Sequence, residues 1–146
     1  MKPPIVPWRP PQVVRPLSIG LIRRSDELLM MAVTDDFGAI KGWRPPGGGI
    51  EFGESAEVAV IRELLEELEQ RVICKRQVCV MENIYNHEGS RGHEVVFVFD
   101  VDFVDPSAYA TDQYTFLDQG VSNDVVWRRV EELVGREMDP RNWTAC

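Results

Sequence analysis

The stretch from Pro45 to Gln70 limits the fold more than any other part of the chain. It runs Pro-Pro-Gly-Gly-Gly and then, within a few residues, into a long helical pattern. Two prolines and three consecutive glycines predict a loop without regular structure over residues 42–49. A helix is predicted from Glu54 or Ser55 to Gln70, with Ser55 as its N-cap. Projected at about 100° per residue, Val58, Ile61, Leu64, Leu65 and Leu68 fall within one arc of about 120°, which predicts a core-facing stripe. Glu63, Glu66 and Glu67 fall in the opposite arc. The small residues Ala56 and Ala59 share that arc and leave room above it for something to dock.

Seven glutamates and one arginine between Glu51 and Gln70 carry a net charge of −6, against −8 for all 146 residues. Carboxylates at i, i+3 and i+4 repel one another along a helix. A hard divalent cation such as Mg2+ or Mn2+ removes that repulsion, because it takes carboxylate oxygens. The glycine run just before the helix lets backbone approach a ligand closely, and its carbonyls can join a metal shell.

The remaining pattern is that of one ordinary globular domain, with 44% apolar and 27% charged residues. Six of the ten prolines lie within the first sixteen residues. Residues 1–16 therefore read as an extended arm that cannot be a helix or a central strand, and residues 17–146 as the single domain. Strands are predicted at Leu17–Arg24, Glu27–Val33, Gln77–Tyr85 and Glu94–Val104, with a last one near Val125–Trp127. Turns fall at Ser25-Asp26, Asp35–Gly38 and Asn86–Gly92, and a short helix at Val130–Val134. Val95, Phe97, Phe99, Val101 and Phe103 alternate onto one face of the clearest strand. One long and one short helix among strands, without a regular βαβ repeat, point to an α+β fold.

No stretch approaches a membrane span, and prolines break any apolar leader at the N-terminus, so the expected location is the cytoplasm. A net negative chain is a poor partner for a DNA or RNA duplex. Cys74, Cys79 and Cys146 match no zinc or CxxC spacing and read as incidental thiols.

The segment GGIEFGESAEVAVIRELLEELEQ, residues 48–70, resembles the box of the Nudix hydrolase (MutT-like) family. That box reads Gly, five residues, Glu, seven residues, Arg-Glu, an aliphatic, any residue, Glu-Glu, any residue, Gly, an aliphatic. Gly48, Glu54, Arg62, Glu63, Leu64, Glu66 and Glu67 match in order and spacing. Glu69 and Gln70 stand where the family has Gly and an aliphatic, a change expected to alter the helix cap and not the metal site. The resemblance implies an α/β/α sandwich with a central mixed β-sheet. It also implies hydrolysis, with Mg2+ or Mn2+, of a pyrophosphate bond in a nucleoside diphosphate linked to another moiety. By the same resemblance Glu63, Glu66, Glu67 and the Gly48 carbonyl are metal ligands, with Glu67 foremost. Glu54 and Arg62 fix the loop and orient the carboxylates. Glu63, then Glu66, is the expected general base.

Other residues are weaker candidates. Arg44, beside the glycine run, could meet a substrate phosphate. Tyr85 could stack on a base. Glu94 could point into the cleft, and Asp118, placed in the loop before the last strand, could serve as a distant acid. The expected partner is a small nucleotide, and a homodimer is the default assembly. Two other readings compete: a Nudix-fold nucleotide-binding module without catalysis, and an unrelated protein with a fortuitous acidic helix.

Overall fold

The computed structural model describes residues 7–118 and 120–133. Nine strands and two helices follow one another as β1 (Val14–Leu21), β2 (Arg23–Arg24), β3 (Glu27–Thr34), β4 (Ile40–Arg44), β5 (Gly47–Gly49), α1 (Ala56–Leu68), β6 (Val72–His87), β7 (Ser90–Phe103), β8 (Gln113–Asp118), β9 (Val121–Arg129) and α2 (Val130–Leu133). A 3-10 turn, Pro106–Ala110, joins β7 to β8. One sheet has the order β5-β1-β7-β6 and is mixed, because β1 runs parallel to β7 and antiparallel to β5. The other is antiparallel in the order β2-β3-β9-β8, with β4 added on β3. This is the expected α+β architecture with a mixed sheet.

Both faces of β7 are buried in its middle, around Val96 to Phe99. Phe99, Val101 and Phe103 join Val60, Leu64 and Leu68 of α1 in one core cluster, which also holds Trp127. Val96 and Val98 join Leu17, Ile19, Leu28, Met30 and Leu133 in the other. A strand buried on both faces reads as a nearly continuous apolar run, which explains why Val96 and Val98 interrupt the simple alternation. Among the described residues no helix is long and apolar enough to cross a membrane.

Several expectations need correction. The strand β1 begins at Val14, so Val14, Arg15 and Pro16 belong to an interior strand and not to an arm. Pro16 is tolerated because its carbonyl still accepts the Ile50 N–H at 3.0 Å, beyond the end of β5. Residues 1–6 of the expected arm, Val134 and Cys146 lie outside the described residues. The 42–49 segment is not an irregular loop: β4 and β5 occupy most of it. The strand β6 starts at Val72, and its turn into β7 is the two-residue pair Glu88-Gly89, both at positive φ, as a tight hairpin requires. Irregular register at Cys74–Arg76 and Gln77–Cys79 breaks the alternation that would have revealed the start of β6. Cys74 is a free thiol.

Candidate active site

The helix α1 starts where expected. Ser55 Oγ accepts the Val58 N–H at 3.2 Å and caps the first turn. The face it buries is not the expected one. Ala59, Val60, Leu64 and Leu68 are buried, whereas Val58 is 53% and Leu65 45% exposed. The helix is turned toward its acidic side because small groups let it lie close on β1. Ser18 Oγ donates to the Ala56 carbonyl at 2.7 Å, and a Cβ at Gly20 would come within 2.9 Å of Leu64. This rotation carries Glu63 and Glu67 to the seam between α1 and β5.

The glycines of β5 serve close approach more than flexibility. A Cβ on Gly48 would lie 2.6 Å from the Glu63 carboxylate, and one on Gly47 would lie 2.2 Å from the Ser18 carbonyl oxygen. Gly20 N–H donates to Pro46 O, and Ile50 N–H to Pro16 O. Bonded pairs recur at every second residue of an antiparallel ladder, so Gly48, opposite Ser18, turns its backbone groups into the ladder. Gly47, opposite Ile19, turns its groups outward. Its N–H donates to Glu67 Oε2 at 3.3 Å, and its carbonyl accepts Arg44 Nη2 at 3.1 Å. Sequence reasoning included Gly47 in the glycine run whose carbonyls can join a metal shell, but singled out Gly48.

Arg62 organises the acids. Its Nε donates to Glu54 Oε2 at 2.7 Å and its Nη2 to Glu54 Oε1 at 2.9 Å, a two-pronged pair. The same Nη2 reaches the Gly49 carbonyl at 3.0 Å, which ties the loop to the helix. Nη1 donates to Glu63 Oε1 at 3.0 Å and to Glu66 Oε1 at 3.3 Å. The Arg62 hydrogen bond holds the Glu54 carboxyl down at about 2, below the usual carboxylate range. Burial pushes Glu67 the other way, to about 8, with the Glu63 and Asp118 charges adding and Arg44 and the Gly47 N–H opposing. Burial also raises Glu63, although Arg62 opposes it. Among the described residues no three His, Cys, Asp or Glu side chains converge into a ready metal shell. Arg62 stands between Glu63 and Glu66, and Glu67 is turned onto Gly47.

The weaker candidates fall around this seam. The Arg44 charge acts on Glu67, Glu63 and Tyr85 alike. Tyr85 donates its hydroxyl to Glu94 Oε1 at 2.9 Å and packs across Gly92, where a Cβ would come within 2.2 Å of its ring. Burial raises the Tyr85 phenol to about 12, and Glu94 adds to the shift. Glu94 is only 7% exposed and also faces Arg15 Nη1 at 3.6 Å, a residue that sequence reasoning passed over as part of the arm. Asp118 is not in a loop: it ends β8, paired with Val121, and its charge reaches Glu67.

The comparisons with known proteins fit this arrangement. Residues 14–145 match the NUDIX domain family. The chain belongs to the Nudix family. A comparison with curated proteins finds no match. A NUDIX hydrolase from Nitrosomonas europaea is 23% identical, with a TM-score of 0.61 over 82% of this chain and 75% of that one. A MutT protein from Methanosarcina mazei Go1 is 20% identical, with a TM-score of 0.62 over 94% of this chain and 92% of that one. An ADP-ribose pyrophosphatase from Streptococcus suis 89-1591 is 14% identical, with a TM-score of 0.59 over 91% of this chain and 88% of that one. These likenesses speak to the Nudix fold. Family membership makes the chain a hydrolase of phosphorus-containing anhydrides, in a family that generally works with divalent metal ions.

Proposed function

We propose that the chain is a Mg2+-dependent pyrophosphohydrolase, with Mn2+ as a substitute, acting on a nucleoside diphosphate linked to another moiety. The observation that carries this reading is the seam between α1 and β5. There a mostly buried Glu67 carboxylate lies beside Glu63, with only Gly47 N–H and the Arg44 charge to offset it. A desolvated carboxylate next to another acid is unfavourable unless a cation joins it. The donor set consists of carboxylate and carbonyl oxygens, which suits a hard divalent ion.

Glu63, Glu66 and Glu67 would hold the ion, aided by a backbone carbonyl. Gly47 is favoured over Gly48 for that carbonyl, since its backbone faces the helix. The ion would supply charge neutralisation and a more acidic water. The chain's own groups do the rest. Arg62, braced by Glu54, holds Glu63 and Glu66 in place, and Arg44 meets a phosphate oxygen. Water attacks phosphorus in line, the anhydride P–O bond breaks, and the proton of the water passes to Glu63, with Glu66 as the second candidate.

The test is a hydrolysis screen with nucleoside diphosphate sugars, dinucleoside polyphosphates and nucleoside triphosphates. Each is assayed with Mg2+, with Mn2+ and with chelator. Product that requires the metal supports the reading. Tight nucleotide binding without metal-dependent product would instead identify a non-catalytic nucleotide-binding module.

A further inference from the structure

The α1 side of the mixed sheet carries the inference. Residues opposite one another in register share a face. Val14 and Pro16 of β1, Val95 and Phe97 of β7, and Val80 and Ile84 of β6 therefore project from one side. Ser18 and Gly20 continue that face along β1, and α1 lies on them, starting at Ala56 over Ser18 and running toward Gly20. Beyond Ser18 the face stays open. Ile84 is 57%, Val14 54% and Val80 46% exposed, Pro16 is exposed, and Val95 and Phe97 are partly buried.

The opposite face of the same strands holds Arg15, Tyr85 and Glu94, and the chain before β1 lies against that side. The Trp8 ring lies 5.5 Å from the His87 ring, and the Arg15 guanidinium lies 5.6 Å from the Trp8 centroid. Arg9 latches the segment there: its Nη1 donates to Asp36 Oδ1 at 2.8 Å and its Nη2 to Asp36 Oδ2 at 2.5 Å. Trp8 and Arg9 are thus held away from the open face. A sheet face left to water normally carries polar residues. Here the water side holds valine, isoleucine, proline and phenylalanine, and a contiguous apolar patch on a soluble domain marks an interaction site.

Charge selects the occupant. The titratable side chains within this stretch of the face are Glu82 and His93, which meet at 2.7 Å. One acid beside one base gives a nucleic acid or an anionic surface no cluster of cations, and gives a basic peptide no cluster of acids. A second copy of the same face matches it in both respects. A two-fold axis passing between Glu82 and His93 sets each acid against the partner's base, as a self-complementary contact requires. Two chains of charge −8 repel one another, and this face is where that repulsion is locally absent.

We propose that the chain self-associates through the α1 side of the mixed sheet, with Val80, Ile84, Val95 and Phe97 packed on a second copy around a two-fold axis at the Glu82–His93 pair. The contact is independent of the chemistry at the seam between α1 and β5.

Sedimentation equilibrium of the full chain tests it. The wild type is expected to be a dimer at about 100 µM, the regime of a small, weak interface. Ile84→Arg and Val80→Arg should each weaken association about tenfold or more, with thermal unfolding unchanged. Two further variants test the axis. His93→Glu makes the centre of the face acidic, and Glu82→Lys combined with His93→Lys makes it basic. Each alone should sediment as a monomer, and their equimolar mixture should recover the dimer. A wild type that is monomeric at that concentration overturns the proposal and leaves the face to a different protein. A dimer indifferent to both arginine substitutions overturns it too, because the contact then lies elsewhere. Charge variants that stay monomeric on mixing reject the two-fold axis at Glu82 and His93.

Discussion

Glu67 accepts a hydrogen bond from the Gly47 N–H at 3.3 Å while it lies mostly buried near Glu63. Burial is the main cause that lifts its carboxyl from 4.5 to about 8. Between those values the folded protein binds more protons at this site than the unfolded chain, so stability falls as pH rises. The contribution is fully present below 4.5 and is lost as pH passes through about 8. At roughly 1.4 kcal/mol per unit, the loss is on the order of a few kcal/mol. Glu67→Gln is therefore expected to be more stable than the wild type at pH 8.5 without metal, with the gap closing toward pH 5. Mg2+ should stabilise the wild type and not the variant, and turnover of the variant should fall by orders of magnitude. Urea titrations in chelator across that range give the comparison. A stability difference that does not change with pH rejects the assignment.

Arg62 has a different part, since it touches Glu54, Glu63, Glu66 and the Gly49 carbonyl at once. Lysine keeps the charge but has no planar fork. Arg62→Lys should leave the domain folded and free Glu63 and Glu66 to move. A misplacement of about 1 Å at a reacting group can cost roughly a hundredfold in rate. A drop of that order in kcat, with circular dichroism unchanged, is the expected outcome. Full activity in Arg62→Lys would mean that the fork does not orient the acids.

Adjacent glycines should behave differently. Gly47 has φ +144, and its Cβ would collide with backbone of β1 at 2.2 Å. Gly47→Ala must therefore break the β1–β5 ladder, and a loss of about 2 kcal/mol or more is expected in thermal or urea unfolding. The nearest atoms that Gly48→Ala would meet are those of the Glu63 carboxylate, the far end of a flexible side chain. That variant should fold nearly as well as the wild type and lose activity by displacing Glu63. Equal destabilisation of the two would contradict this division of roles.

The acidic box was legible because its positions are fixed by spacing along one helix, and helix geometry is local. The face that α1 buries was not, because it depends on one glycine and one serine in β1, Gly20 and Ser18, that the helix pattern does not contain. Similarly, β5 is a strand only because Leu17–Ile19 lies beside it, a pairing some thirty residues away that overrides the glycines' weak strand preference. Asp118 was placed in a loop because β8 is short and mostly exposed, and its alternation of Tyr114 and Phe116 stops before the exposed pair Leu117-Asp118. The Arg9–Asp36 latch and the contact of Arg15 with Glu94 join distant segments, and no short-range pattern announces either.

The end of α1 offers a prediction independent of catalysis. Glu69 sits where the family box has glycine, and it takes the left-handed conformation that glycine would adopt, with φ 55. Its N–H still donates to the Leu65 carbonyl at 3.0 Å, so the helix stops as the family pattern requires. The cost is steric, because Cβ crowds the following carbonyl in that region, by roughly 1–2 kcal/mol. Glu69→Gly removes the strain and one negative charge near the negative end of the helix dipole. Part of the gain is offset by the greater freedom of glycine in the unfolded chain. The net expectation is a stabilisation of about 1 kcal/mol, or a Tm raised by roughly 3–5 °C in a domain of this size. Hydrolysis should be unchanged, because Glu69 is exposed and joins none of the hydrogen bonds among the acids. Differential scanning calorimetry with a parallel activity assay checks both, and a variant less stable than the wild type would show that the left-handed cap is not under strain.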